Sequence, residues 1–215
     1  MKQLVIFDLD GTLLDTVGDL AACCNVVLER HGLPTHTFED YTSFVGNGIL
    51  RLVERAIPEE LRTTEFVATV RADFVELYTQ NIAEYTKPYE GTHELLQDLQ
   101  QRGVKLAVAS NKFQAGCEKL VNHYFSDIDF DIILGQRVGV PLKPDPTIVH
   151  DIMAHTAIPQ ENILYVGDSG IDMQTATAAG VDSVGVTWGF RTQKELESSG
   201  ATYIATQAED IAKLV

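Results

Sequence analysis

The 215-residue sequence predicts an α/β protein with a doubly wound, mostly parallel sheet, interrupted after its first strand by an all-helical insertion. Three observations carry that expectation. Leu4, Val5, Ile6 and Phe7 form an unbroken apolar run, as in a strand covered on both faces. Between Thr16 and Thr86 apolar residues recur only at helical spacing. From Thr92 onward helical segments and short apolar strands alternate, the pattern of parallel βαβ construction.

The first strand ends abruptly in Asp8-Leu9-Asp10-Gly11. If extended backbone persists through Leu9, Asp8 and Asp10 leave on the same side, with Gly11 allowing a sharp turn behind them. Two close carboxylates raise each other's pKa or demand a cation, so the pair suits a metal or acid/base site. Val17, Leu20, Ala21, Cys24, Val27 and Leu28 then predict an amphipathic helix stopping near His31-Gly32. Ile49, Leu52, Val53 and Ala56, and after them Phe66, Val70, Phe74, Leu77 and Tyr78, predict further helices. Lys87-Pro88-Tyr89-Glu90-Gly91 reads as the closing linker. The expected division is a core of 1–15 with 87–215, and a helical cap of 16–86 acting as a lid.

In the core, the pattern predicts helix 92–102, strand Lys105–Ala109, helix 113–123, strand Asp131–Leu134 and a helix from Pro146 to about His155. Strand Ile163–Val166, helix Ile171–Ala179 and strand Ser183–Val186 follow. A short helix Gln193–Ser199, an edge strand at Tyr203-Ile204 and helix Ala208–Leu214 complete the chain.

Composition narrows the function. With 31 acidic against 16 basic residues the net charge is −15, which argues against a nucleic-acid partner because phosphate backbones are held by clustered Lys and Arg. No apolar run approaches the ~20 residues that span a membrane, and the amino terminus turns acidic too soon for a signal peptide. A soluble, cytoplasmic protein is expected, monomeric by default. The three cysteines suggest neither a disulfide framework nor a metal site, and the six histidines show no metal spacing.

In open α/β sheets, ligands bind beyond the carboxyl ends of the strands. Those positions hold Asp8 and Asp10, then Ser110-Asn111-Lys112, then Asp168-Ser169 with Asp172, while Lys143 precedes a helix amino terminus. Carboxylates, one basic residue, a hydroxyl and backbone donors suit phosphoryl transfer assisted by Mg²⁺, a hard cation that needs only one or two carboxylates. Asp8 and Asp168 are the candidate ligands, and Lys143 supplies positive charge. Ser110 and the amides around Asp10, Gly11 and Asn111, with Thr12 beside them, could hold phosphoryl oxygens. Ser110 and Asn111 could instead cap the next helix, and Asp172 could serve its helix dipole. Lys112 reads as a surface charge and Trp188 as packing under a strand-end loop. In the insertion, Gly46-Asn47-Gly48 is a turn or a substrate-facing loop, and Arg51 could meet a substrate carboxylate or simply be solvated.

Asp8-Leu9-Asp10-Gly11-Thr12, Ser110-Asn111-Lys112, Lys143-Pro144 and Gly167-Asp168-Ser169 with Asp172 resemble, in order and spacing, the four motifs of the haloacid dehalogenase superfamily. The resemblance covers the whole chain and implies a Rossmann-like core with a helical cap. It further implies that Asp8 is a nucleophile forming an aspartyl-phosphate and that Asp10 is a general acid/base. Mg²⁺ would be held by Asp8, the Asp10 carbonyl and Asp168, with Asp172 in support, and Lys143 would neutralise Asp8 and the phosphate. Superfamily dehalogenases lack an acid at the Asp10 position, so phosphoryl chemistry is favoured.

Asp15-Thr16-Val17-Gly18-Asp19-Leu20, Phe44-Val45-Gly46-Asn47-Gly48 followed by Leu52-Val53-Glu54-Arg55-Ala56, and Val186-Thr187-Trp188-Gly189-Phe190 resemble phosphoglycolate phosphatases, implying a small phosphorylated metabolite such as 2-phosphoglycolate. Phosphatases of pyrophosphate, nucleotides or sugar phosphates, and sugar phosphomutases, share the cap architecture and remain alternatives. A phosphonoacetaldehyde hydrolase would need a cap lysine, and Thr16 to Thr86 contains none.

Overall fold

Strand β1 (Leu4–Phe7) lies inside a six-stranded sheet, and none of its residues is more than 1% exposed. The computed structural model describes all residues, 1–215. The other strands are β2 (Leu14–Asp15), β3 (Lys87–Pro88), β4 (Lys105–Phe113), β5 (Ile132–Gln136), β6 (Ile163–Gly167), β7 (Asp182–Val186) and β8 (Tyr203–Ala205). The helices are α1 (Val17–Arg30), α2 (Phe38–Phe44), α3 (Gly48–Ala56), α4 (Thr64–Gln80), α5 (Thr92–Gln101), α6 (Gln114–Tyr124), α7 (Thr147–Thr156), α8 (Gly170–Ala179), α9 (Gln193–Ser198) and α10 (Ala208–Ala212).

The large sheet has the order β5-β4-β1-β6-β7-β8, and every pairing in it is parallel. The chain builds outward from β1 through β4 to β5, then crosses to the other side of β1 for β6, β7 and β8. β1 therefore marks the point where strand order reverses, and a crevice opens there beyond the carboxyl ends. Leu4, Ile6, Ala107, Ala109, Ile163 and Tyr165 share a core cluster with Ile148, Val149 and Ile152 of α7 and Ala176 and Ala179 of α8. The alternating residues Val5, Phe7, Val108, Leu164 and Val166 are buried as well, so both faces are covered and the strands are apolar throughout.

The large sheet is parallel as expected, including the pairing of β8 at its edge, and one strand boundary needs correction. β4 does not stop at Ala109 but runs to Phe113, with a register shift: Ala109 pairs with Leu134 and Phe113 with Gln136, so four steps on β4 match two on β5. Ser110, Asn111 and Lys112 lie in that irregular stretch and are all buried. They are polar, so apolar periodicity cannot reveal that the strand continues.

The chain divides into two compact units, Met1–Asp15 with Pro88–Val215, and Thr16–Lys87. The second is helical, with α1 packed on α2 and α4, and α3 on α4. Tyr41, Phe74 and Tyr78 are completely buried in it, and the Phe74 and Tyr78 rings stack 5.3 Å apart. Asp19, in the first turn of α1, ties the unit's two ends together. Its carboxylate accepts hydrogen bonds from the Tyr85 amide at 2.9 Å, the Thr86 amide at 2.8 Å and the Thr86 hydroxyl at 2.6 Å. Histidines serve local pairings, such as His31 with Asp73 and His93 with Asp127. No helix is long and apolar enough to cross a membrane.

Asp19 is 1% exposed, so Asp19→Ala would strand buried donors without water. The expected cost is about 3 kcal/mol, read as a lower urea midpoint; an unchanged midpoint would refute the closure role.

Candidate active site

Four segments of the core unit converge at the reversal point. The Asp8 amide donates to the Val166 carbonyl at 2.9 Å, so strand pairing continues past Phe7 and delivers the Asp8 side chain to the crevice at 8% exposure. The buried Lys143 ammonium lies 3.0 Å from the Asp8 carboxylate and 2.7 Å from that of Asp172. It also donates to the Ala109 carbonyl at 2.9 Å and the Tyr165 hydroxyl at 3.1 Å.

The Asn111 side chain is turned toward Lys143. Its side-chain oxygen accepts from the Lys143 amide at 2.9 Å and its amide group donates to the Lys143 carbonyl at 3.2 Å, so it clamps the lysine's backbone. Ser110 is 3% exposed, and its hydroxyl accepts from the Lys112 amide at 3.3 Å. Lys112 is not a surface charge. Its side chain is 2% exposed, and its ammonium sits 3.1 and 3.2 Å from the two Asp10 oxygens.

Asp168, just after β6, accepts from the Phe190 amide at 2.8 Å and weakly from the Thr12 hydroxyl at 3.5 Å. Gly11, at φ 87°, passes so close that any Cβ there would collide with the Asp168 carboxylate, so both its conformation and its missing side chain are required. Trp188 packs by the same loop and is anchored through its indole N–H to the Thr12 carbonyl at 3.0 Å. Asp172 serves helix capping and the cluster at once. One oxygen accepts from the amide and hydroxyl of Ser169 in a capping box, and the other faces Lys143 and the Tyr165 hydroxyl.

Gly46, Asn47 and Arg51 lie in the helical unit. Asn47 precedes α3 and accepts from Arg55 at 2.8 Å, while Arg51 pairs with Glu54 on the exposed face of α3. Arg55, to which the sequence assigned no separate role, also donates to the Phe44 carbonyl at 2.8 Å.

A family model of haloacid dehalogenase-like hydrolases matches residues 5–186. The chain belongs to this family. It is 32% identical to the phosphoglycolate phosphatase of Pseudomonas savastanoi pv. phaseolicola, over 100% of this chain and 79% of that one. It is 30% identical to the phosphoglycolate phosphatase of Aquifex aeolicus, over 99% and 96% respectively. Among solved structures, a candidate phosphoglycolate phosphatase from Lactobacillus delbrueckii subsp. bulgaricus superposes with a TM-score of 0.92 at 34% identity, covering 100% of this chain and 98% of that one. This haloacid dehalogenase-like hydrolase therefore resembles phosphoglycolate phosphatases, and its kinship makes it a phosphoric monoester hydrolase.

The electrostatics of the hydrolase's crevice follow from crowding acids in a dry place. Burial pushes the Asp8 carboxyl up to about 7; Lys143 opposes the rise, while Asp172 and Asp10 add to it. Burial, then Asp172 and Asp8, holds Asp168 well above the usual carboxylate range. Burial works against the charge of Lys143, but Asp172 and Asp8 outweigh it and raise the ammonium's pKa. Oxygens of Asp8, Asp168 and Asp172 all lie within 4.8 Å of one another. That hard-oxygen set, short of positive charge, fits a divalent cation such as Mg²⁺. Asp172 commits one oxygen to Ser169 and the other to the Lys143 ammonium, whereas Asp168 meets an amide at 2.8 Å and a hydroxyl only at 3.5 Å.

Sequence reading also missed Tyr165, and it gave Ser169, named in the last motif, no role of its own. Tyr165 looks like one more apolar residue of a buried strand, although a buried phenol needs a partner, and that was the available signal.

Without a divalent cation, the folded hydrolase binds more protons at Asp8 than the unfolded chain between the ordinary carboxylate value of 3.8 and about 7. That contribution to stability is present at the acid end and is lost as pH rises through the window, because the charged form is disfavoured only in the fold. Urea midpoints across this range, in chelator, are expected to fall with pH more steeply for the parent than for Asp8→Asn. Parallel curves would contradict the burial effect.

Proposed function

We propose that the hydrolase is a Mg²⁺-dependent phosphatase of a small phosphomonoester, with 2-phosphoglycolate as the substrate, acting through an aspartyl-phosphate on Asp8. The observation that carries this reading is the meeting of Asp8, Asp168, Asp172 and Lys143 at the strand-order reversal, with Asp10 on a separate cation. The kinship with phosphoglycolate phosphatases supports the substrate class.

In this reading Asp8 attacks phosphorus and the P–O bond to the leaving group breaks. Lys143, 3.0 Å from Asp8, offsets negative charge as the anionic phosphate meets an anionic nucleophile. Asp10 gives a proton to the departing alkoxide, then takes one from the water that hydrolyses the aspartyl-phosphate. Ser110 and the backbone around Gly11 and Thr12 hold phosphoryl oxygens. Bound Mg²⁺, held by Asp8, the Asp10 carbonyl and Asp168 with Asp172 behind them, would supply charge neutralisation for Asp8 and the phosphate.

Phosphate release from a panel containing 2-phosphoglycolate, pyrophosphate, nucleotides and sugar phosphates tests this. The expected outcome is Mg²⁺-dependent release, highest kcat/KM on 2-phosphoglycolate, and activity in Asp8→Asn below about one thousandth of the parent. Asp8→Asn activity equal to the parent would exclude the nucleophile, and preference for another substrate would reassign the specificity.

A further inference from the structure

We infer that Lys112 is a positioning residue that holds the Asp10 carboxylate where it takes a proton from the hydrolytic water. The inference rests on the aspartyl-phosphate reading and adds a residue to it. Asp10 lies on the turn after β1, outside the ladder except for a single bridge to Leu14, so the strand alone does not orient its side chain. Lys112 comes from the irregular end of β4, and its ammonium meets both Asp10 oxygens almost symmetrically, at 3.1 and 3.2 Å.

The contact is built in rather than incidental. The Lys112 side chain is 2% exposed against 14% for Asp10, so the cation is buried against this carboxylate while the carboxylate keeps an opening to solvent. A lysine without its partner at that depth would carry the cost of an uncompensated buried charge. The backbone that presents Lys112 is itself held: its amide donates to the Ser110 hydroxyl at 3.3 Å, and its carbonyl accepts from Cys117 Sγ at 3.5 Å. Gly135 of β5 makes room, since a Cβ there would lie 2.5 Å from that carbonyl. The register shift thus turns Lys112, two residues beyond Ser110, toward the proton-transfer acid.

In the step concerned, the water oxygen bonds to phosphorus as the P–O bond to Asp8 breaks, and the electron pair of that bond returns to the Asp8 carboxylate. One proton of the water passes to an Asp10 oxygen and is handed to the next leaving group or to solvent. An Asp10 free to rotate would slow this step.

p-Nitrophenyl phosphate separates the steps, because nitrophenolate departs without needing a proton. With Mg²⁺-loaded protein, Lys112→Met is expected to lower kcat about tenfold or more while kcat/KM stays within about twofold. A burst of about one nitrophenolate per site should precede the slow steady state. Lys112→Arg, which can still face both oxygens, should recover most of kcat. Equal losses in kcat and kcat/KM without a burst, or no loss, would overturn the positioning role. Lys112→Gln carries the same test if the methionine variant unfolds. Failure of the parent to release phosphate, or undiminished Asp8→Asn, would instead refute the underlying reading.

Discussion

The buried ammonium of Lys143 is the interaction on which the core's functional end depends. Within 3.1 Å it meets Asp8 after β1, the Ala109 carbonyl of β4, Tyr165 of β6 and Asp172 of α8. One cation therefore joins three neighbouring strands at the place where their order reverses. Without it, Asp8 and Asp172 would be unpaired charges in a dry site, an arrangement that ordinarily costs several kcal/mol. The side chain of Asn111 makes the lysine's placement rigid by gripping its backbone on both sides. The polar end of β4 is thus built around Lys143.

A second consequence concerns Asp8 and Asp10, which leave the chain two residues apart. Each meets its own lysine: Asp8 faces Lys143, and Asp10 faces Lys112. The two carboxylates thereby occupy different environments despite their nearness, the pattern by which adjacent acids take separate chemical roles. In a chain carrying a net charge of −15, both of these lysines are buried at one crevice. The positive charge an anionic substrate needs is local and shielded from the acidic surface.

Family membership and geometry explain different things. The kinship with haloacid dehalogenase-like hydrolases accounts for the order of the strand-end acids and for the presence of a helical insertion. It says nothing of how that insertion is closed. Asp19 does this by binding the backbone at Tyr85 and Thr86, so the helical unit leaves the core and ends on a shared hydrogen-bonded point. Selectivity among phosphomonoesters belongs to side chains that vary within such a scaffold, and fold alone does not assign it.

Much of this molecule is legible in its residues, and what is not has a common cause. Apolar runs at Leu4–Phe7 and Ile163–Val166, and helical spacing from Val17 onward, determine the sheet, the insertion and the strand ends carrying Asp8, Asp10 and Asp168, because burial on two faces or one leaves a local periodic trace. The extension of β4 through Ser110-Asn111-Lys112 leaves no such trace, since Asn111 and Lys112 are buried against polar partners 32 and 102 positions away in sequence. Lys112 reads as a surface charge until Asp10 is placed against it, and Tyr165 as core until Lys143 is. The sequence by itself determined which acids reach the crevice. Only the tertiary structure decided which cation each one meets, because pairing of buried charges is set by distance in space, and periodicity reports nothing about that.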